Sequence, residues 1–422
     1  MKRYLTGIDW VVHTIDYTSK TQSGIGNHSE VVLELNNPPD LKALTQDLNG
    51  FVKKFPHLNG WPSRALNLCP YWKISAKKEL PVNVQSIKLE SNCEYLPFME
   101  AQVNAAFKNK REHLSFSLIE TGNNTFLTMT FDHRILDAKG AEAFLLLFQQ
   151  YCHNRLEAQN TFFTYPAHLN RWKEKLLAGR QVNRFLLDFS KDPPRILPFD
   201  SKNEPCKFKI IHLSPEQSMR LKDNAYAQAG YLMLMPYLLA RSLQIMHKIF
   251  QEKNIPGDTY LIPVPIDMRT KEALQKETFF NHFSFFLFKI KVNKINNLSE
   301  LLSEIKNQMY AQVKNKVPEA IINASFLMRI AGLSLTNFFL KLMSKKHFAS
   351  FSFSYLSNAN QPKNLMQEQI QNIFHLPRTP KPPGVGIFFN QFDNKLNITL
   401  SYFDDLLSKD QLSQIINDLQ EL

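Results

Sequence analysis
One stretch combines residue types that could move a proton: Thr130-Phe131-Asp132-His133-Arg134-Ile135-Leu136-Asp137. Of all side chains, histidine has the unperturbed pKa nearest neutrality, so it can accept a proton and return it. A carboxylate four residues later cannot reach that proton from an extended strand. If the chain turns between them, Asp137 can hold the loop, and so hold His133 in one orientation. The same spacing also arises when a partly buried histidine is merely satisfied by backbone, so context decides. Here a strand-like run precedes the motif, and Gly140-Ala141-Glu142-Ala143 opens an apolar-faced helix after it.

The elements that must position this stretch follow from periodicity. Residues 113–119 and 126–131 read as strands around the turn Gly122-Asn123-Asn124. Residues 138–155 read as a helix with Ala141, Phe144, Leu145, Phe148 and Tyr151 on one face. Upstream, 30–35 alternates like a strand, and 40–55 has helical apolar spacing with Asp40 as N-cap. Downstream, 208–213, 259–266, 283–292, 351–355, 385–392 and 395–402 read as strands, the last two joined by a hairpin turn at Asp393-Asn394. Helices are expected over 231–250, 298–313, 325–343 and 409–419. Ser214-Pro215-Glu216-Gln217 carries three agreeing helix-start signals: cap, first-position proline and capping box. Prolines 193, 194, 198 and 205 mark 191–205 as a linker. It divides an N-terminal part, 1–190, from a C-terminal part, 206–422, and each part mixes strands and helices. The fold class is α/β.

Composition narrows the function. The chain has 422 residues, 44% hydrophobic and 21% charged, which is an ordinary globular balance. No apolar run approaches the roughly 20 residues of a spanning helix, and the start has no apolar signal region. The cysteines, Cys69, Cys93, Cys152 and Cys206, form no C-x-x-C pair. A reducing compartment, the cytoplasm, is the expected location. The net charge of +12 favours an anionic partner, but the basic residues are dispersed, which argues against nucleic acid. No metal site is expected. No nucleophile elbow, phosphate-binding glycine loop or zinc-helix motif occurs. The phenylalanines over 279–288 read as core, with an apolar acyl tunnel as the second reading. Residues 325–343 read as a packed surface helix, with a lid or peripheral membrane contact as the alternative.

The motif resembles the active-site element of the chloramphenicol acetyltransferase-like superfamily, its condensation-domain and alcohol (wax-ester) acyltransferase branch. The resemblance covers nearly the whole chain. Leu5-Thr6-Gly7-Ile8-Asp9-Trp10 is similar to the opening leucine–aspartate element of condensation-type members. Phe55-Pro56-His57-Leu58-Asn59-Gly60 resembles the stretch after their first long helix. The run from Leu261 to Arg269 resembles a strand ending in aspartate-x-arginine, and Asn281 falls where they have Gly-Asn. Phe353-Ser354-Tyr355-Leu356-Ser357 resembles their Ser-Asn-Leu-Gly strand, and Gly386 to Leu406 their closing hairpin.

The resemblance implies two similar α/β sandwich lobes with a tunnel between them. It implies His133 as general base, Asp137 as a structural residue paired with Arg269, and Ser354 near the developing oxyanion. Asn281 is expected to be structural. The implied donor is an acyl thioester, acyl-CoA or a phosphopantetheinyl carrier protein, arriving from outside the chain. The acceptor is a small alcohol or amine. No permanently bound cofactor is implied, and a monomer is expected. There are three departures. Asp132 replaces the first histidine of the condensation-domain pair. Ala138 replaces the glycine after the motif aspartate. The Asp-Phe-Gly-Trp-Gly signature of plant BAHD enzymes is absent. Dihydrolipoyl acyltransferases share Asp-His-Arg locally, but there the motif lies near the chain's end, whereas here 285 residues follow Asp137. The leading expectation is a stand-alone acyltransferase. The alternative is a catalytically inactive, condensation-like binding protein, supported by Ala138.

Overall fold
The computed structural model describes residues 2–74, 80–91, 94–156, 171–189, 194–198, 205–270, 273, 276–344, 349–357 and 362–422, the side chains of 185–189 and 339–344 excepted. Cys93, the Lys345-Lys346 pair and most of the 191–205 linker lie outside the described residues.

The first half runs β1 (Lys2–Tyr4), α1 (Gly7–Ser23), β2 (His28–Leu35), α2 (Leu41–Val52), β3 (Trp61–Arg64), β4 (Pro70–Lys73), β5 (Asn83–Lys88), α3 (Tyr95–Val103), β6 (Leu114–Glu120), β7 (Thr125–Asp132), α4 (Ala138–Cys152) and α5 (Trp172–Phe189). The second half runs β8 (Cys206–His212), α6 (Pro215–Ala229), α7 (Leu234–Glu252), β9 (Thr259–Asp267), β10 (Phe283–Lys291), α8 (Leu298–Lys314), α9 (Val317–Ser325), α10 (Leu333–Ser344), β11 (Ser352–Leu356), β12 (Asn364–Leu365), β13 (Glu368–Pro377), β14 (Val385–Phe392), β15 (Lys395–Phe403) and α11 (Lys409–Gln420).

A six-stranded sheet, ordered β12-β13-β2-β7-β6-β5, carries the motif strand β7 near its centre. A four-stranded sheet, β11-β14-β15-β8, and a β10-β9 hairpin belong to the second half. The two halves are not closed off from each other. Strands β12 and β13 come from the second half but complete the first half's sheet, β13 pairing antiparallel with β2 from Ile370 to Pro377. The division at 191–205 is therefore not a division of the sheets.

Central position makes β2 buried on both faces, and its alternate residues enter two cores. Val31, Leu33 and Leu35 join a cluster with Phe51, Phe144 and Phe148 under α2 and α4. Val32 faces the larger cluster, built mostly from second-half residues such as Phe208, Leu243 and Leu400. Burial of these apolar side chains supplies most of the driving force, at about 25 cal/mol per Å².

Local signals explain several element ends. Asp40 accepts from the Ala43 amide at 2.7 Å and starts α2. Ser214 and Gln217 close a capping box on α6. Asp393 and Asn394 both adopt positive φ, 44° and 67°, as a tight turn between β14 and β15 demands. The expected helix over 325–343 is corrected: a 3-10 turn over Phe326–Ile330 separates α9 from α10. Arg64 from the β3–β4 region takes the carbonyls of Arg329, Ile330 and Ala331, which removes them as helix acceptors just before Gly332. Among the described residues no helix is long and apolar enough to cross a membrane.

Candidate active site
His133 is the first residue past β7. Its amide donates to Asn27 O at 3.0 Å, and its carbonyl accepts from Asn281 Nδ2 at 3.1 Å. One pin comes from each half of the chain. The imidazole is half-buried, packed between the rings of Phe131 (6.1 Å) and Phe283 (6.4 Å), and its Nδ1 is buried without a hydrogen-bond partner. The Phe-rich run divides accordingly. Phe279, Phe280, Phe286 and Phe288 are core, while Phe283 stands half-buried beside His133.

Asp137 is the N-cap of α4. Its Oδ1 accepts from the Gly140 amide at 2.7 Å. Its Oδ2 accepts from Arg269 Nη2 at 2.7 Å and from the His282 amide at 3.0 Å. Arg269 is itself fixed, donating through Nε to Glu277 O at 2.8 Å and through Nη1 to Asp267 Oδ1 at 3.0 Å. The pair is buried, its side chains 1% and 7% exposed. Burial pushes the Asp137 carboxyl up, but the Arg269 guanidinium and the hydrogen bonds outweigh it and hold it below the usual carboxylate range. So a strand–loop–helix segment from one half is tied at its start by Asn281 and at its end by Arg269, both from the other half.

The glycine question resolves locally. Ala138 occupies the first helical position and has no positive φ, so the turn needs no glycine there. Gly140 is the constrained one: a Cβ there would sit 2.3 Å from Thr278 O.

Asp132 does not stand free as a second proton carrier. Its carboxylate binds His113 Nδ1 at 2.9 Å and Arg134 Nε at 3.0 Å, and Arg134 also reaches Asp16 at 3.5 Å. Burial opposes this charge, and Arg134 and His113 together hold the Asp132 pKa far below its ordinary value. Asp9, in the opening element, ion-pairs with Arg3 at 2.8 Å and accepts the Asn281 amide at 3.2 Å. Arg3 in turn lies 3.6 Å over the Phe280 ring. Sequence reasoning did not single out His113, Arg134 or His282, and left Asn281 without a specific contact. Arg134 pairs with Asp132 only two residues away, whereas His113, His282 and Asn281 meet partners 19, 145 and 148 residues distant, which no local pattern marks.

Ser354 lies half-buried on β11, the edge strand of the four-stranded sheet, and no observed hydrogen bond joins it to His133, Asp137 or Arg269. The strand's end does meet the motif helix, where Lys139 Nζ donates to Ser357 O. Among the described residues no cluster of side chains is suited to hold a metal ion.

No family model matches the chain, and no curated protein sequence does. Solved structures do. The first condensation domain of the calcium-dependent antibiotic synthetase, in complex with a substrate analogue, superposes with TM-score 0.71 at 12% identity, over 100% of this chain and 95% of that one. The chain has the fold of condensation domains. Trichothecene 15-O-acetyltransferase from Fusarium sporotrichioides gives TM-score 0.71 at 10% identity, covering 99% and 95% of the two chains. The starter condensation domain of rhizomide synthetase, solved with C8-CoA, gives 0.69 at 10% identity, covering 100% and 95%. Condensation domains are built from two chloramphenicol acetyltransferase-like lobes, and the mixed α/β architecture described above is theirs.

Proposed function
We propose that this condensation-fold protein is an acyltransferase that moves an acyl group from a thioester, acyl-CoA or an acyl-carrier protein, to a hydroxyl or amine acceptor, with His133 as general base. The observation that carries this reading is the setting of His133. Its backbone is pinned from both halves, and its ring is half-buried with an unpartnered Nδ1, while Asp137 and Arg269 lock the loop behind it. In the proposed step the imidazole takes the acceptor's proton as the oxygen or nitrogen attacks the thioester carbonyl. The tetrahedral intermediate then expels the thiolate, which recovers the proton from the imidazolium. Ser354 is proposed as the hydroxyl facing the developing oxyanion. A passage between the halves would admit the two substrates from opposite sides.

The similarity to a domain solved with C8-CoA supports CoA as donor, and the net charge of +12 suits a phosphate-bearing thioester. A cytoplasmic location and a monomeric state belong to the same proposal. Ala138, the residue that raised the inactive alternative, sits in ordinary helical geometry and so gives that reading no support. The test is His133→Ala assayed with a panel of CoA esters and small alcohols and amines. General-base loss is expected to lower turnover by about 10²–10⁴-fold with the circular dichroism spectrum intact. Unchanged turnover rejects the assignment.

A further inference from the structure
One face of the sheet that holds the motif strand carries polar side chains that the transfer step does not use. Opposed residues share a face, so β2 and β7 set His28 beside Asp132, Glu30 beside Thr130 and Val32 beside Thr128. Strand β6 adds Ser115 beside Thr130 and Ser117 beside Thr128. The far end of this row closes on itself. Ser117 Oγ accepts from Gln85 Nε2 at 2.9 Å and from Gln102 Nε2, and Thr128 donates to Gln102 Oε1 at 3.3 Å. The end next to the motif does not close. Both Glu30 carboxyl oxygens, Thr130 Oγ1 and His28 Nδ1 are buried without a hydrogen-bond partner, on residues 0%, 3% and 2% exposed.

Each such group costs about 1–3 kcal/mol, and a buried charge more. Packing does not require them, because the same face is filled by Val32 and, on β13, by Leu376 opposite Glu30 and Phe374 opposite Val32. Burial pushes Glu30 up to about 8; the nearby Thr128 hydroxyl pulls the other way, but its one proton is donated to Gln102 Oε1 and leaves the Glu30 oxygens unpaired. Burial likewise pushes His28 down to about 4, so its ring is neutral. A carboxylate, a hydroxyl and a neutral imidazole all offer acceptor lone pairs. A primary ammonium offers three N–H donors and the positive charge that a buried carboxylate lacks here.

We propose that His28, Glu30 and Thr130 form a subsite for a primary ammonium carried by the acyl acceptor, which is therefore an amine-bearing molecule. This rests on the acyl-transfer reading, because it names that reaction's acceptor. Thr130 precedes His133 by three residues, about 10 Å along extended strand. The ammonium and the group that is acylated are thus separate ends of the acceptor. No bond forms at Glu30: the ammonium replaces the carboxyl proton, which passes to the buffer.

The test is isothermal titration calorimetry on the full chain with aminohexanol and hexanediol, which differ at one end only. Wild type is expected to bind aminohexanol at least about tenfold more tightly, and Glu30→Gln to bring the two probes to about the same affinity. Thr130→Val is the second variant, should Glu30→Gln fail to fold, and is expected to narrow the preference by about threefold or more. Equal affinities in wild type, no binding of aminohexanol, or a preference that survives both substitutions overturns the proposal. Because binding is read without turnover, an intact preference beside an active His133→Ala rejects the transfer reading alone. A lost preference beside an inactive His133→Ala rejects the ammonium subsite alone.

Discussion
Asn281 of the second half donates its side-chain amide to the carbonyl of His133 at 3.1 Å, while its own backbone amide donates to Asp9 at 3.2 Å. One residue thereby joins the start of the chain, the motif loop and the second half. The motif's shape is set by contacts between the halves, not by the motif alone.

Removing that amide should loosen the His133 loop without touching the ring. Asn281→Ala is expected to lower thermal stability by about 1–3 kcal/mol and to reduce kcat more than KM. Steady-state kinetics together with a denaturation curve check this. A variant as stable as wild type with full turnover would show that the clamp does not position His133.

The Asp137–Arg269 pair is buried, so breaking it leaves one uncompensated charge. Arg269→Ala is expected to destabilise by about 3–5 kcal/mol. Asp137→Asn keeps the helix cap but loses the ion pair, and is expected to reduce folding yield more than the specific activity of the folded fraction. Urea denaturation and activity per folded molecule are the readouts. A well-folded Arg269→Ala protein of wild-type stability contradicts the locking role.

Buried histidines shape the acid response, and burial lowers His247 and His282 as well as the three with the largest shifts. Burial holds His13 and His57 down to about 3 and His28 down to about 4, against an ordinary 6.5. The unfolded chain therefore binds more protons than the folded one between those values, and stability falls as pH drops from about 6.5 toward 4. Asp9 adds a lower window: burial opposes its charge, but Arg3 holds it at about 2, so its stabilisation is lost between about 3.8 and 2. Urea midpoints measured from pH 7 to 4 should decline, and His13→Phe should flatten the slope. A flat wild-type profile over that range argues against neutral buried rings.

Glu30 works in the opposite direction. Its pKa, raised to about 8 by burial, means that the folded state binds more protons than the unfolded state above about 4.5. Its neutral form is tolerated at low pH, and stability is lost as pH rises toward 8. Without any ligand, Glu30→Gln should therefore gain on wild type as pH rises from 5 to 8, by up to a few kcal/mol (about 1.4 per pKa unit). Melting temperatures at both pH values decide it. A gap that shrinks with pH would mean the carboxyl is not buried neutral.

What the sequence determined is local. Alternation placed β6 and β7 around Gly122, helical spacing placed α4, the Ser214 box started α6, and Asp393-Asn394 closed the last hairpin. The motif's own order, strand then His133 then Asp137 ahead of a helix, was readable because periodicities act within a few residues, whereas the capping bond that Asp137 accepts from the Gly140 amide came from the structure. Other features depended on distant partners. Strand β13 exists as a strand because β2 offers it an edge, and the helix expected over 325–343 breaks because Arg64 claims its carbonyls. Neither Asn281 nor His282 has any local feature that marks it as a partner of His133 or Asp137. Glu30 read as one polar position in an alternating strand, and only the sheet's order reveals it as a carboxyl buried without a partner. Hydrogen bonds and desolvation depend on what the rest of the chain brings within a few ångströms, and residue spacing in one segment cannot encode that.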